Sequence, residues 1–241
     1  MLKIHKIIVL LLLVWITIAT GYAQDTSAKF NFLDFSMGLV SPQRTFGKSF
    51  GDGFFSLDLA YHRQISPEKP VFWGIGIGYS KFGSIYGTFE ETINLNFEEV
   101  SYSTYNNFVN FRGGFRYYPE FYFGRFYPYI EGELGGAWIF TTTDRTITAL
   151  ETSESDINFG RIAPSMGGTL GLNIEIVDSW YLSLGYTIFK SLPIRYLFPD
   201  DNAVQLDSTL DVFKERRSTV DANIFRIGIT MRWDRYTNFE E

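Results

Sequence analysis

The stretch VFWGIGIGYS, residues 71–80, alternates bulky apolar residues with glycine and serine. Strands normally avoid glycine, because glycine packs nothing and loses much entropy on ordering. A strand face made of Gly74, Gly76 and Gly78 therefore needs a reason. It could belong to a phosphate-binding loop, to a soluble sheet, or to a strand between lipid and a crowded lumen. The phosphate loop is disfavoured, because Tyr79 replaces the third glycine of GxGxxG and no helical pattern follows.

The N-terminus has the pattern of a cleavable signal peptide. Its features are two lysines (Lys3 and Lys6), an apolar run over residues 7–19, and small residues (Gly21 and Ala23) before Gln24. The run of about 13 residues is shorter than the roughly 20 that a membrane-spanning helix needs. We expect residues 1–23 to be the signal peptide and residues 24–241 to form an outer-membrane β-barrel domain.

Composition narrows the classes of function. Without residues 1–23 the chain has 19 basic and 27 acidic residues, a net charge of −8, which disfavours nucleic acid as a partner. It contains no cysteine, so a disulfide framework and thiolate chemistry are excluded. No residue set has the spacing of a metal or cofactor site, and we expect neither a metal nor a cofactor.

Period-2 alternation recurs along the chain and predicts eight strands. They cover about residues 30–40, 53–65, 70–82, 106–118, 127–141, 161–177, 180–190 and 220–233. The connections after strands two, four and six are short (SPEKP, PEFYFGRFY and VDS). Those after strands one, three, five and seven are longer, at 41–52, 83–105, 142–160 and 191–219. Short inner turns and long outer loops are typical of outer-membrane barrels. The second loop still alternates, so we expect a hairpin there, whereas the fourth is expected to be mobile.

The composition of the two strand faces separates a membrane barrel from a soluble sandwich or lipocalin-like barrel. The face opposite the apolar one carries glycine, serine, asparagine and a few charges, which suits a narrow lumen better than water. Aromatic residues lie near the strand ends, where interface girdles form: Trp73, Tyr79, Tyr117, Trp138, Trp180 and Trp233. We predict an all-β fold, an eight-stranded antiparallel up-and-down transmembrane barrel in the cell outer membrane. Gly74, Gly76 and Gly78 should then point into the lumen, leaving room there.

Charged residues share the lumen-facing phase and form the candidate site: Asp34, Asp58, His62, Arg112, Arg116, Glu131, Glu133, Glu175, Arg226 and Arg232. An antiparallel register would bring Arg112 close to Glu133, and Arg116 close to Glu131. Arg226 and Arg232 could face Asp34, because the last strand pairs with the first. Buried charges must be paired to be tolerated. We favour an ion-pair plug that holds the barrel closed over a proton or ion path. A catalytic His62, with Ser56 and Asp58, is disfavoured because it sits toward the inner end.

The last strand reads RIGITMRW, from Arg226 to Trp233, and resembles the C-terminal signal that the outer-membrane assembly machinery recognises. Many such proteins end on the aromatic residue, whereas here DRYTNFEE follows.

Several phrases together resemble the small outer-membrane β-barrel domain family of porin-like or OmpX-like barrels: NNFVNFRGGFRYYP, RFYPYIEGELGGAWIF, MGGTLGLNIEI and the last strand. The resemblance covers about residues 30–233 and implies an eight-stranded barrel in the outer membrane of a diderm bacterium. It implies no catalytic set. We expect a non-enzymatic protein with a plugged lumen, surrounded by outer-membrane lipid and lipopolysaccharide and acting through its outer loops or as a membrane-structural or accessory protein. The alternatives are a narrow ion or small-solute channel and an accessory barrel of a secretion or envelope complex.

Overall fold

The computed structural model describes residues 29–51, 53–93, 96–119, 124–147, 152–200 and 209–235. The predicted signal peptide, residues 1–23, lies outside them. The elements are β1 (Lys29–Gln43), α1 (Arg44–Phe50), β2 (Phe54–Gln64), β3 (Val71–Ile93), β4 (Asn96–Tyr117), β5 (Phe126–Ile147), β6 (Thr152–Val177), β7 (Trp180–Ser191), β8 (Ile194–Pro199), a 3₁₀ turn (Thr209–Val212), β9 (Phe213–Ser218) and β10 (Asp221–Arg235).

Eight of these strands form a closed antiparallel barrel in the order β1-β10-β7-β6-β5-β4-β3-β2, in which β2 pairs again with β1. The seam between the first and last strands is continuous from Lys29↔Arg235 to Gln43↔Asp221. Closure leaves no free edge within the barrel wall. The predicted eight-stranded up-and-down fold is confirmed.

The outer surface of the barrel is apolar. The alternation along each strand places every second residue on that surface, and these residues are mostly apolar. Phe35, Ile77 and Ile229 are 54%, 45% and 49% exposed, and similar side chains follow on the other strands. Such a belt is the surface that a transmembrane barrel presents to lipid. No helix in the described residues combines the length and apolar character that a membrane span requires.

The strands extend beyond the belt on one side only. The expected hairpin in loop two is present, since β3 and β4 remain paired to Ile93↔Asn96. The prediction of a loop over residues 142–160 was wrong, because β5 and β6 pair as far as Ile147↔Thr152. We call the four-stranded sheet formed by residues 83–93, 96–105, 142–147 and 152–163 the outer extension.

The described parts of loops one and four also contain regular structure. Loop one contains α1, and loop four contains the separate β8–β9 hairpin. Tyr196 of β8 is fully buried and its ring lies 5.6 Å from that of Phe46 in α1. We call α1 and the β8–β9 hairpin together the cap. We expected a mobile loop over residues 191–219. The described part of this segment instead makes contacts at the outer mouth, because it has apolar side chains to bury.

Candidate functional site

Arg116 lies at the centre of a charged layer that crosses the lumen. It projects inward from β4, and its Nε donates to Glu131 Oε2 at 2.9 Å. Its Nη2 lies 2.8 Å from Asp34 Oδ2 and 2.8 Å from Glu131 Oε2. The guanidinium also stacks 4.2 Å from the ring centroid of Tyr129. One buried cation therefore holds carboxylates from two strands, β1 and β5.

Arg112, which precedes Arg116 on β4 and shares its inward phase, holds a second carboxylate pair. It binds Asp58 through both terminal nitrogens, with Nη1 donating to Oδ2 at 2.8 Å. Its Nε lies 3.4 Å from Glu133 Oε1. The structure thus brings Arg112 to Glu133 and Arg116 to Glu131, the two pairs that the register predicts.

His62, on β2, connects two of the carboxylates, one from the neighbouring β1 and one from β5. Its Nε2 lies 3.1 Å from Glu131 Oε1, and its Nδ1 lies 3.2 Å from Asp34 Oδ2 without the alignment of a hydrogen bond. Both ring nitrogens therefore face carboxylate oxygens. With His62 as an imidazolium, four cations (His62, Arg112, Arg116, Arg226) balance four carboxylates (Asp34, Asp58, Glu131, Glu133) in this layer.

Three of the predicted network residues lie elsewhere than expected. Arg226 does not contact Asp34; its terminal nitrogens lie 3.8 Å from Asp58 and Glu133, and Nη1 donates to Thr187 at 3.0 Å. Arg232 lies against aromatic rings instead, 5.1 Å from the Phe30 centroid. Glu175 accepts a hydrogen bond from Tyr127 at 3.1 Å near the inner end. The register explains these differences, because Asp34 pairs with Thr230, which donates to it at 2.7 Å.

The lumen glycines make room for this charged layer. A Cβ on Gly74 would overlap the ring of His62, and one on Gly76 would stand 2.8 Å from the guanidinium carbon of Arg112. A Cβ on Gly78 would stand 2.8 Å from Asp58 Oδ2. Each glycine of GIGIG therefore faces the lumen opposite a charged or imidazole side chain that needs the space.

Other glycines face lipid, although the sequence analysis singled out only lumen glycines. Gly132 and Gly168 lie directly opposite each other on β5 and β6, in the phase of Ile130 and Leu170. A Cβ on Gly132 would meet nothing within 4 Å. Glycine in this barrel is thus not always a marker of lumen space.

Aromatic side chains cluster in the lumen at the inner end. Phe32, Phe72 and Tyr181 are buried there, with Tyr118 and Tyr127 packed against them. The rings of Phe32 and Phe72 lie 5.0 Å apart, and Tyr118 also contacts both.

An apolar cluster lies in the lumen at the outer end. Its wall includes Phe54, Phe82 and Phe108, and the cap adds Phe46 and Tyr196. Polar contacts hold the cap, since the Tyr196 hydroxyl lies 2.8 Å from Ser218 Oγ and Arg216 donates to Ser49 at 3.0 Å. The charged layer therefore lies between two apolar barriers.

Several contributors to the charged layer were not singled out from the sequence. They are Asn110, Thr169, Thr187, Thr230, Tyr118 and Tyr129. Four of the six (Asn110, Thr169, Thr230 and Tyr129) share the inward phase of a charged residue on their own strand, so the alternation was the available signal. It could not show which polar residue accepts or donates to which charge.

A second ion-pair group lies in the outer extension. Arg145 Nη2 lies 2.5 Å from Glu91 Oε2, and the Tyr102 hydroxyl donates to the same carboxylate. The Tyr102 hydrogen bond, with the Arg145 guanidinium, holds the pKa of Glu91 below its usual range. This group ties three neighbouring strands together at the tip, where the directly opposed Glu91 and Glu98 would otherwise repel.

We expect acid to loosen this tip. A carboxylate whose pKa is lowered by folding contributes stability above its unfolded pKa, and that stability is lost as the pH falls through the lowered value. Backbone amides around Glu91 should therefore exchange hydrogen faster at low pH than at neutral pH, after correction for the intrinsic rate. Glu91→Gln should remove the difference and Glu90→Gln should keep it. Equal protection at both pH values in the parent protein would contradict the assignment.

Comparison with known proteins adds architecture only. No family model and no curated protein matches the chain. Among solved structures, the chain is similar to the outer membrane protein OprG from Pseudomonas aeruginosa, with 14% identity over 86% of this chain and 97% of that one, at a TM-score of 0.44. A major outer membrane protein from Thermus thermophilus gives 11% identity over 86% and 100%, with a TM-score of 0.44. Ail, the attachment invasion locus protein of Yersinia pestis, gives 12% over 86% and 99%, with a TM-score of 0.40.

Proposed function

We propose that this chain is a non-enzymatic outer-membrane barrel whose lumen is closed by its own side chains and which acts through its outer extension and cap. The observation that carries the proposal is that three filled layers follow one another along the lumen. They are the inner aromatic cluster, the charged layer and the outer apolar cluster. A barrel of eight strands has an interior only wide enough for side chains. Water and ions would have to displace packed rings at both ends to cross it.

The belt supports a position in an outer membrane. On β10 the lipid-facing side chains run from Phe225 to Trp233. A strand rises about 3.3 Å per residue and tilts by about 40°, so these Cα atoms span roughly 20 Å along the barrel axis. The apolar band of outer-membrane barrels is about 25 Å tall. Trp73, Tyr117, Trp180 and Trp233 then lie at the inner interface, with Tyr79 and Trp138 at the outer one. In this proposal residues 1–23 direct export, and the assembly machinery recognises the last strand.

The contacts of His62 support the non-enzymatic part. Its ring nitrogens face Asp34 and Glu131, and no serine hydroxyl is among its partners in the described residues. A serine hydrolase would need that contact to activate its nucleophile. The histidine also lies within the charged layer, enclosed by apolar clusters on both sides.

Planar-bilayer recordings of the refolded protein test the closed lumen. We expect no steady conductance, because neither barrier leaves an aqueous path. A sizeable, stable conductance would overturn the proposal in favour of the narrow channel, and Arg112→Ala would then be expected to change its ion selectivity. Removing most of the cap, by replacing residues 194–218 with a short glycine–serine linker, should still give no conductance because the charged layer and inner cluster remain.

A further inference from the structure

The outer extension has an open edge on β6. Pairing between β6 and β7 begins only at Ser165↔Ser191, whereas β6 is paired with β5 from Thr152 onward. We call residues 153–163 of β6 the open edge. Within the part of the chain that the structure describes, no strand pairs with it on the side away from β5. Its outward backbone N–H and C=O groups can therefore take another strand.

The open edge is exposed on both faces as well. Every residue from Ser153 to Asn158 is exposed, whichever face it points to, and Ile157 is 62% exposed. The corresponding edge on β3 differs, because half-buried residues alternate with exposed ones there. Residues 153–158 therefore have two bare faces and are held by their pairing with β5, whereas the base of the open edge also packs into the fold through the buried Ala163.

The open edge lacks two of the usual protections of an edge strand, lysine and proline, although it keeps exposed charges and a bulge at Asn158. Natural edges carry lysine, proline or inward charges that prevent pairing with other chains. The segment SESDINFGRIA contains no lysine and no proline, and Pro164 follows only where pairing to β7 begins. Its exposed acidic residues are Glu154 and Asp156, while its one arginine, Arg161, lies at the base beside Phe159.

We infer that the open edge receives an extended, basic segment of another protein by antiparallel or parallel strand addition. Backbone hydrogen bonds would supply the affinity. Pockets for alternate side chains of the added strand would supply the selectivity. Lysine or arginine on the added strand would lie beside Glu154 and Asp156, and opposite charges on neighbouring strands stabilise pairing. A second copy of this chain fits less well, because its edge offers one arginine, Arg161, against the two carboxylates of Glu154 and Asp156. The inference rests on the proposed function only in placing the outer extension outside the membrane.

A synthetic peptide tests the inference on the full-length protein refolded in detergent micelles. The probe is a ten-residue peptide in which lysine alternates with valine and threonine, labelled for fluorescence anisotropy. We expect saturable binding. Methylating alternate backbone nitrogens of the peptide should abolish binding, because strand addition needs those N–H groups. Replacing its lysines with glutamate should do the same.

Protein variants locate the site. Glu154→Lys with Asp156→Lys should weaken binding roughly tenfold, because two attractive contacts become repulsive. Glu90→Lys with Glu99→Lys, on the β3–β4 tip, is the matched control and should leave the affinity within about twofold. Binding that survives methylation, binding that is lost only in the control variant, or no binding to the folded barrel would each overturn the inference. Conductance of the barrel is measured separately, so a failed peptide test and a failed closed-lumen test are distinguishable.

Discussion

Replacing Arg116 with methionine is expected to destabilise the barrel by about 3–5 kcal/mol, because it leaves two buried carboxylates to share His62 as their one remaining cationic contact. Arg116 is 3% exposed and contacts Asp34 and Glu131 at 2.8 Å each. Both carboxylates are buried, with the Asp34 side chain 12% and the Glu131 side chain 7% exposed. The measurement is the urea concentration at the midpoint of unfolding for the protein folded in lipid vesicles. The heat-modifiable shift in gel mobility monitors the folded fraction.

Two further variants separate lost charge pairing from lost packing. Arg116→Met combined with Glu131→Gln should recover part of the stability, because one of the stranded charges is gone. Arg145→Met is the matched control, since its ion pair with Glu91 is about 30% exposed on both sides. It should cost no more than about 1 kcal/mol. If Arg116→Met lowered the free energy of unfolding by no more than this control, the ion pairs of the charged layer would not be what stabilises the barrel.

Adding one methyl group at Gly74 is expected to cost about 3 kcal/mol, at the upper end of the range of about 1–3 kcal/mol for overpacking a filled interior. The new Cβ would overlap the ring of His62 and would stand 2.9 Å from the carbonyl oxygen of Tyr61. The upper end applies because the ring cannot turn away without leaving Asp34 and Glu131. The same urea titration measures the effect of Gly74→Ala.

Gly132→Ala is the matched control for this substitution. Both glycines lie in barrel strands, but Gly132 faces lipid and its Cβ would meet nothing within 4 Å. We expect a change within about 0.5 kcal/mol, or a slight gain from reduced freedom of the unfolded chain. Equal losses at the two positions would mean that the cost comes from the backbone and not from the space taken by His62.

Much of the fold followed from alternation. A period of two assigns each residue to one wall face, so Ile75 and Ile77 could be placed toward lipid and Gly76 toward the lumen without coordinates. Hairpin connectivity also made neighbours of β4 and β5, which is why the partners of Arg112 and Arg116 on β5 were predictable from a short turn.

The partners of Arg226 were not predictable in this way. Its contacts to Asp58 and Glu133 cross the lumen from a strand adjacent to neither residue. Such contacts depend on the stagger of all eight strands and on which side chain fills the remaining space. The cap was missed for a related reason, since an irregular composition hides that Phe46 and Tyr196 meet over one mouth.

The sequence by itself determined the number of barrel strands, their two faces and the need for an inward glycine face in VFWGIGIGYS, because these depend on local periodicity. Only the tertiary structure decided which side chain uses the room at each glycine, how the charges are shared and what closes each end. These features depend on distances across the lumen between residues far apart in the chain. Tertiary structure also decided where pairing stops, and so left residues 153–163 of β6 as an open edge, because neighbouring strands of unequal length leave part of the longer one unpaired.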